Sequence, residues 1–169
     1  VQNGEEKGIG AFIVEKGTDG LRVGEPENKM GWKGSDTRSV YFEDMFIPKE
    51  NILGNPSRGF KQFLRTLTGG RITIGALALG TAQGAYERAL KYSHERKAFG
   101  KEINQFQGIS FKISDMATSI QASKHLVYHA AYKKDQGEDV IKEAAMAKLF
   151  SSEMCMSVTT EAIQIFGGY

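Results

Sequence analysis

The chain has 169 residues, 40% of them apolar and 25% charged, with a formal net charge of +2. That composition excludes a disordered segment and allows a sizeable core, while the small charge and the lack of a dense Lys/Arg run argue against a nucleic-acid partner. The single cysteine, Cys155, excludes an intramolecular disulfide, has no companion at metal-ligand spacing and reads as a small helix-packing residue in a reducing compartment.

No charged-then-apolar leader opens the sequence, and the longest apolar run, residues 72–79, is too short to span a bilayer. A soluble, cytoplasmic protein is the expectation. Residues 9–15 form a short apolar run ended by the turn signal Gly17-Thr18-Asp19-Gly20, which predicts a strand. Residues 21–24 predict a second strand, and residues 38–43 and 45–47 are β-rich, with Pro48 ending the pairing because it lacks a backbone donor. So few short strands make a poor independent domain, and the first strands of the sheet are expected to precede this chain.

Residues 51–57, with Gly54 and Pro56, form a connector, after which the hydrophobic period changes. From Arg58 the apolar residues Phe60, Phe63, Leu64 and Leu67 fall at helical spacing. From Ile72 a helix is predicted whose first half is apolar nearly all round and whose second half carries Gln83, Glu87, Arg88 and Lys91 on a polar face. Gly75, Gly80 and Gly84 interrupt it, each at a cost of up to about 1 kcal/mol against alanine, which predicts close approach of a packed helix or a ligand. Residues 103–134 give the clearest stripe, Phe106, Ile109, Ile113, Met116, Ile120, Val127 and Ala130, with a glycine cap at Gln136-Gly137. Residues 138–166 predict a third helix with Val140, Ile141, Ala144, Ala145, Leu149, Met154, Val158, Ala162 and Ile165 inward. Three such helices leave an apolar side uncovered, so a fourth is expected from beyond Tyr169 or from a partner chain.

The stretch GGRITIGALALGTAQGAYERALKYSHERKAFGK, the Phe106-Gln107 step, the segment FKISDMA and the terminal Gln164-Ile165-Phe166-Gly167-Gly168-Tyr169 together resemble the acyl-CoA dehydrogenase family. Upstream, Met30-Gly31-Trp32-Lys33-Gly34-Ser35-Asp36-Thr37, Phe42-Glu43-Asp44 and Ile47-Pro48-Lys49-Glu50-Asn51 resemble the second half of that family's middle β-domain. The resemblance implies an α+β chain: a partial antiparallel β-domain over residues 1–55, then an up-down helical bundle over residues 56–169 whose fourth helix is missing. It also implies FAD as cofactor and an acyl-CoA thioester as substrate. Its reaction removes a proton from the carbon beside the thioester carbonyl and passes a hydride from the next carbon to the flavin.

Residue by residue, Thr68, Gly69, Gly70 and Arg71 match the stretch that contacts the CoA thioester. Glycines permit close backbone approach, and arginine offers a charged fork suited to phosphate. Arg96, Lys97, Ala98 and Phe99 match the ERxxFG element that reaches the flavin nucleotide of a neighbouring subunit, with Arg96 toward the pyrophosphate and Phe99 packed on the cofactor. Gln107 matches a glutamine contacting the same cofactor. Gln164, Phe166, Gly167 and Gly168 match the element at which a helix ends against the adenosine half of FAD. His94, His125 and His129 have no ligand or nucleophile pattern around them and read as structural, and no metal site is expected.

Two departures qualify the resemblance. Most of the family takes its catalytic base from a glutamate in a Tyr-Glu-Gly-Thr-like segment, expected downstream of Tyr169. The isovaleryl and long-chain branch takes it from the position just before the arginine, which here is Gly70. No catalytic carboxylate is therefore assigned in this chain, and Gly70 points to the short- to medium-chain, butyryl-CoA dehydrogenase-like type. The chain reads as a piece of an enzyme of roughly twice its length. The resemblance further implies a homo-oligomer built as a dimer of dimers, an electron-transfer flavoprotein as electron acceptor, and a bacterial cytoplasm or, in a eukaryote, the mitochondrial matrix. Two alternatives stay open, a non-enzymatic helical module that dimerises or holds a nucleotide, and an acyl-CoA oxidase.

Overall fold

The computed structural model describes residues 8–168. The chain divides into two compact units between Leu64 and Arg65. In the first, β1 (Leu21–Pro26) pairs antiparallel with β2 (Arg38–Phe42), matching Leu21 to Phe42 and Val23 to Val40, with an irregularity between Val23 and Pro26. Residues 9–15, expected as a strand, make only an isolated antiparallel bridge from Phe12 to Ile52, flanked by Ile13 N–H to Asn51 O and Leu53 N–H to Ala11 O, each 2.9 Å. Residues 45–47 are not a strand either. Both segments have strand composition without a regular neighbour to pair with, and a strand exists only as a pair.

Helix α1 (Gly59–Glu95) is continuous over 37 residues and runs straight through the Gly69-Gly70 pair. It is followed by β3 (Lys97–Ala98), β4 (Lys101–Glu102), a 3-10 turn over Ile103–Gln105, α2 (Gln107–Asp135) and α3 (Ile141–Phe166). The stripe beginning at Ile103 therefore belongs to two elements, because Phe106 is extended at φ −90° and ψ 128° and starts the helix afresh.

The second unit has two buried clusters that define the packing. One joins Ala82 and Ala89 of α1 to Met116 and Ile120 of α2 and to Met154, Val158, Ala162 and Ile165 of α3. The other joins Ile72 of α1 to Val127 and Ala130 of α2 and to Val140, Ala144 and Ala147. Early residues of α1 and α3 thus meet late residues of α2, an up-down-up arrangement. Alanines at the seams let the helices approach closely, and Gly75 extends this: a Cβ there would lie 3.3 Å from Val127 Cγ2 and 3.4 Å from the Ala147 carbonyl. Gly80 and Gly84, expected to face a close neighbour, have nothing within 4 Å of a Cβ.

On α3 the buried positions are Ala144, Ala147, Ser151, Met154, Val158, Ala162 and Ile165, following Val140. Ile141, Ala145 and Leu149, expected inward, are exposed, Leu149 by 58%. Each sits one residue beyond or two short of a buried position, which on a helix turns it off the seam. The first half of α1 departs in the same way. Ile74 is 47% exposed and Leu77 38%, so its apolar surface is only partly covered, and no fourth helix lies among the described residues. No helix among them is long and apolar enough to cross a membrane.

Candidate cofactor site

The ends of three helices meet at one concavity of about 550 Å³, lined by Tyr92, Arg96, Ala98, Phe99, Ile103, Phe106, Ile109, Ile165, Phe166, Gly167 and Gly168. Helix α1 ends at Glu95, and the chain turns back through a two-residue hairpin in which Lys97 pairs with Glu102 and Ala98 with Lys101. Its central residues, Phe99 at φ 51° and Gly100 at φ 83°, both lie in the left-handed region. Two positive φ values are what a tight, right-twisting hairpin requires, and glycine accepts this readily whereas phenylalanine does so at a cost of about 1–3 kcal/mol. That strain presents the Phe99 ring to solvent, 97% exposed, with only an edge contact to Phe106 at 6.2 Å.

Helix α3 reaches the same place from the other end of the sequence. Gly167, at φ 67°, ends it and donates back to Gln164 O and Ile163 O. Phe166 stacks tilted against Tyr92, with ring centroids 4.7 Å apart. Helix α2 starts there without a side-chain cap: Phe106 occupies the cap position, its carbonyl accepts from the Ile109 and Ser110 N–H groups, and its side chain offers no acceptor to the N–H groups of Gln107 and Gly108. An uncapped helix N-terminus is a positive pole and therefore favours an anion. The guanidinium of Arg96 has no ion-pair or side-chain hydrogen-bond partner among the described residues.

Of the residues linked to the cofactor by sequence, Arg96, Ala98, Phe99, Phe166, Gly167 and Gly168 line the concavity. Lys97, Gln107 and Gln164 are exposed and do not line it; Gln107 is the first residue of α2 and Gln164 lies in the last turn of α3. Tyr92, Ile103, Phe106, Ile109 and Ile165 line it and were not assigned to the cofactor from the sequence. Tyr92, Ile109 and Ile165 are ordinary apolar helix positions and Ile103 and Phe106 belong to the turn before α2, and only the convergence of helix ends gives them a cavity to face.

Thr68, Gly69, Gly70 and Arg71 stand apart. They are half-buried residues in the interior of α1, 25 to 28 residues before Arg96, which at the α-helical rise places them about 37–42 Å away along the axis. A Cβ on Gly69 would meet Lys134 Nζ at 2.7 Å, so the missing side chain makes room for that ammonium group. Gly70 has open space. Cys155 is partly buried and desolvation raises its thiol pKa, which suits a packing residue and disfavours a nucleophile. His94, His125 and His129 are exposed, and no metal-binding cluster of His, Cys, Asp and Glu occurs among the described residues.

A strand pair and a three-helix domain whose helix ends line a cleft with cationic, aromatic and glycine residues define an α+β protein. Residues 57–169 match the family model for the acyl-CoA dehydrogenase C-terminal domain, and the chain belongs to the acyl-CoA dehydrogenase family. It is 47% identical over 163 residues to a short-chain-specific acyl-CoA dehydrogenase of Clostridium acetobutylicum, covering 96% of this chain and 43% of that protein. The solved butyryl-CoA dehydrogenase of Megasphaera elsdenii superposes with a TM-score of 0.94 at 49% identity, covering 96% of this chain and 43% of that one. A chain in the structure of an electron transferring flavoprotein of Acidaminococcus fermentans, described for flavin-based electron bifurcation, matches at TM-score 0.94 and 53% identity over the same shares. The chain thus spans less than half the length of these relatives.

Proposed function

We propose that this chain is the cofactor-contacting part of a flavin-dependent dehydrogenase acting on a short-chain acyl-CoA, with residues 1–55 from its β-domain and residues 56–169 from its helical domain. The observation that carries the reading is the convergence of two distant motifs, Arg96 to Phe99 and Phe166 to Gly168, on one concavity. The residues fit FAD. Arg96, unpaired among the described residues, and the uncapped start of α2 supply cationic and donor groups for a pyrophosphate. The Tyr92–Phe166 pair and the exposed Phe99 supply aromatic surface for flat rings, and Gly167-Gly168 leave backbone open to close approach. Lys97, Gln107 and Gln164, exposed outside the lining, are further cofactor contacts in the proposal.

When bound, FAD supplies the hydride acceptor. This chain's residues bind and orient it, and Thr68, Gly69, Gly70 and Arg71 are proposed to receive the thioester end of the substrate. Thr68–Arg71 and Arg96 are separated by about 37–42 Å along the axis of α1, so on one chain the thioester contacts and the flavin-nucleotide contacts belong to different sites. This supports a homo-oligomer, a dimer of dimers, in which Arg96 and Phe99 reach a flavin held mainly by another subunit. An electron-transfer flavoprotein is the proposed electron acceptor, supported by the similarity to a chain of the Acidaminococcus structure. The base that takes the substrate proton is proposed to come from sequence outside these residues, since position 70 is glycine. Similarity to bacterial relatives supports a cytoplasmic setting.

The test is a flavin-fluorescence titration of the full-length apoenzyme with FAD, alongside Arg96→Ala. Saturable quenching in the wild type, weakened about tenfold or more by loss of the charged fork, is the expected result. No saturable binding, or identical binding by the variant, overturns the cofactor reading.

A further inference from the structure

The hairpin that carries Phe99 has two-residue strands and a bulky residue in the left-handed region. Such a ribbon has little stability of its own, so something must hold its base. The main chain contributes one closure, Ile103 N–H to Arg96 O at 3.0 Å. A second comes from side chains. In the last turn of α1, His94 Nδ1 lies 2.6 Å from the side-chain nitrogen of Asn104, which sits in the 3-10 turn after β4, and 3.7 Å from Glu102 Oε2. The other end of the amide, Asn104 Oδ1, is buried and has no partner among the described residues.

An amide's oxygen and nitrogen are interchangeable in shape. With the nitrogen toward the ring it donates to His94 Nδ1, and with the oxygen toward the ring it accepts from Nδ1–H, so either orientation bridges the two side chains. We propose that His94 and Asn104 form a clamp across the base of the hairpin and act as positioning residues, holding Arg96 and Phe99 where a flavin nucleotide meets them. The clamp stands on its own geometry; its effect on the nucleotide rests on the cofactor reading above. Neither residue lines the concavity itself.

The experiment measures amide hydrogen exchange at Ile103, whose bond to Arg96 O reports hairpin closure, in the wild type, His94→Ala, Asn104→Ala and Asn104→Asp. Protection is expected to fall roughly tenfold in both alanine variants and to persist in Asn104→Asp, whose carboxylate still accepts from the ring. FAD affinity is expected to follow the same order while the melting midpoint stays unchanged. Unaltered Ile103 protection in both alanine variants overturns the clamp, and lost protection with unaltered FAD affinity overturns its positioning role. A wild type that binds no FAD refutes the cofactor reading alone, because Ile103 protection still decides whether the clamp exists.

Discussion

Ser123 Oγ and Ser151 Oγ lie 2.7 Å apart, both fully buried, and form a hydrogen bond between α2 and α3. The pair sits in the seam between the two apolar clusters, where any mismatch of helix register would leave a hydroxyl unpaired. Ser123→Ala is expected to cost about 1–3 kcal/mol because it orphans Ser151, whereas Ser123→Ala with Ser151→Ala should cost less than the sum of the single variants. Urea unfolding of the four proteins checks this; strict additivity would show that the two hydroxyls do not depend on each other.

The glycines of α1 separate into two kinds. At Gly75 the neighbours are the Val127 side chain and the Ala147 backbone, so Gly75→Leu is expected to destabilise by about 1–3 kcal/mol through overpacking. At Gly80 no neighbour is near, and Gly80→Ala is expected to stabilise by about 0.5–1 kcal/mol through helix propensity. Opposite signs in thermal melting are the expected result.

Gly70 also has open space, so Gly70→Glu should fold and gain rather than lose helix stability. In a full-length enzyme whose own downstream base has been removed, it is expected to restore a low butyryl-CoA turnover in a dye-reduction assay. A folded, flavin-loaded but wholly inactive double variant would remove position 70 as a site for the base.

Lys133 pairs with Glu143 at 2.8 Å and with Glu138 at 3.2 Å. The hydrogen bond from Lys133 is the main cause that lowers the Glu143 pKa below its ordinary 4.5, and the bond to Glu143 is the main cause that raises the Lys133 pKa above 10.5. The contribution of Glu143 is complete above its unfolded value and is lost as pH falls through the lowered folded one. That of Lys133 is complete below 10.5 and is lost as pH rises through the raised one. Replacing Glu143 with Gln should therefore flatten the loss of stability below about pH 4.5 while leaving neutral-pH cooperativity intact, measured by denaturation across pH.

Much of this protein is determined locally. The 3.6-residue stripe of Met116, Ile120, Val127 and Ala130 requires a helix with one buried side, and positive-φ glycines at Gly137 and Gly167 end helices where a Cβ would be strained. The motifs around Arg96 and Gly167 are associated with one ligand through the resemblance to the acyl-CoA dehydrogenase family, which the residues at those positions carry. Tertiary structure decided the rest, because burial depends on what lies opposite. Leu149 is as apolar as Met154, yet it faces away from the seam, while Ser151 is polar and fully buried because Ser123 lies within hydrogen-bonding reach. Residues 9–15 have strand composition and form only a bridge, since pairing needs a partner that composition cannot supply. The cleft itself exists only because three helices end together, which brings Tyr92 to Phe166 across more than seventy residues of chain.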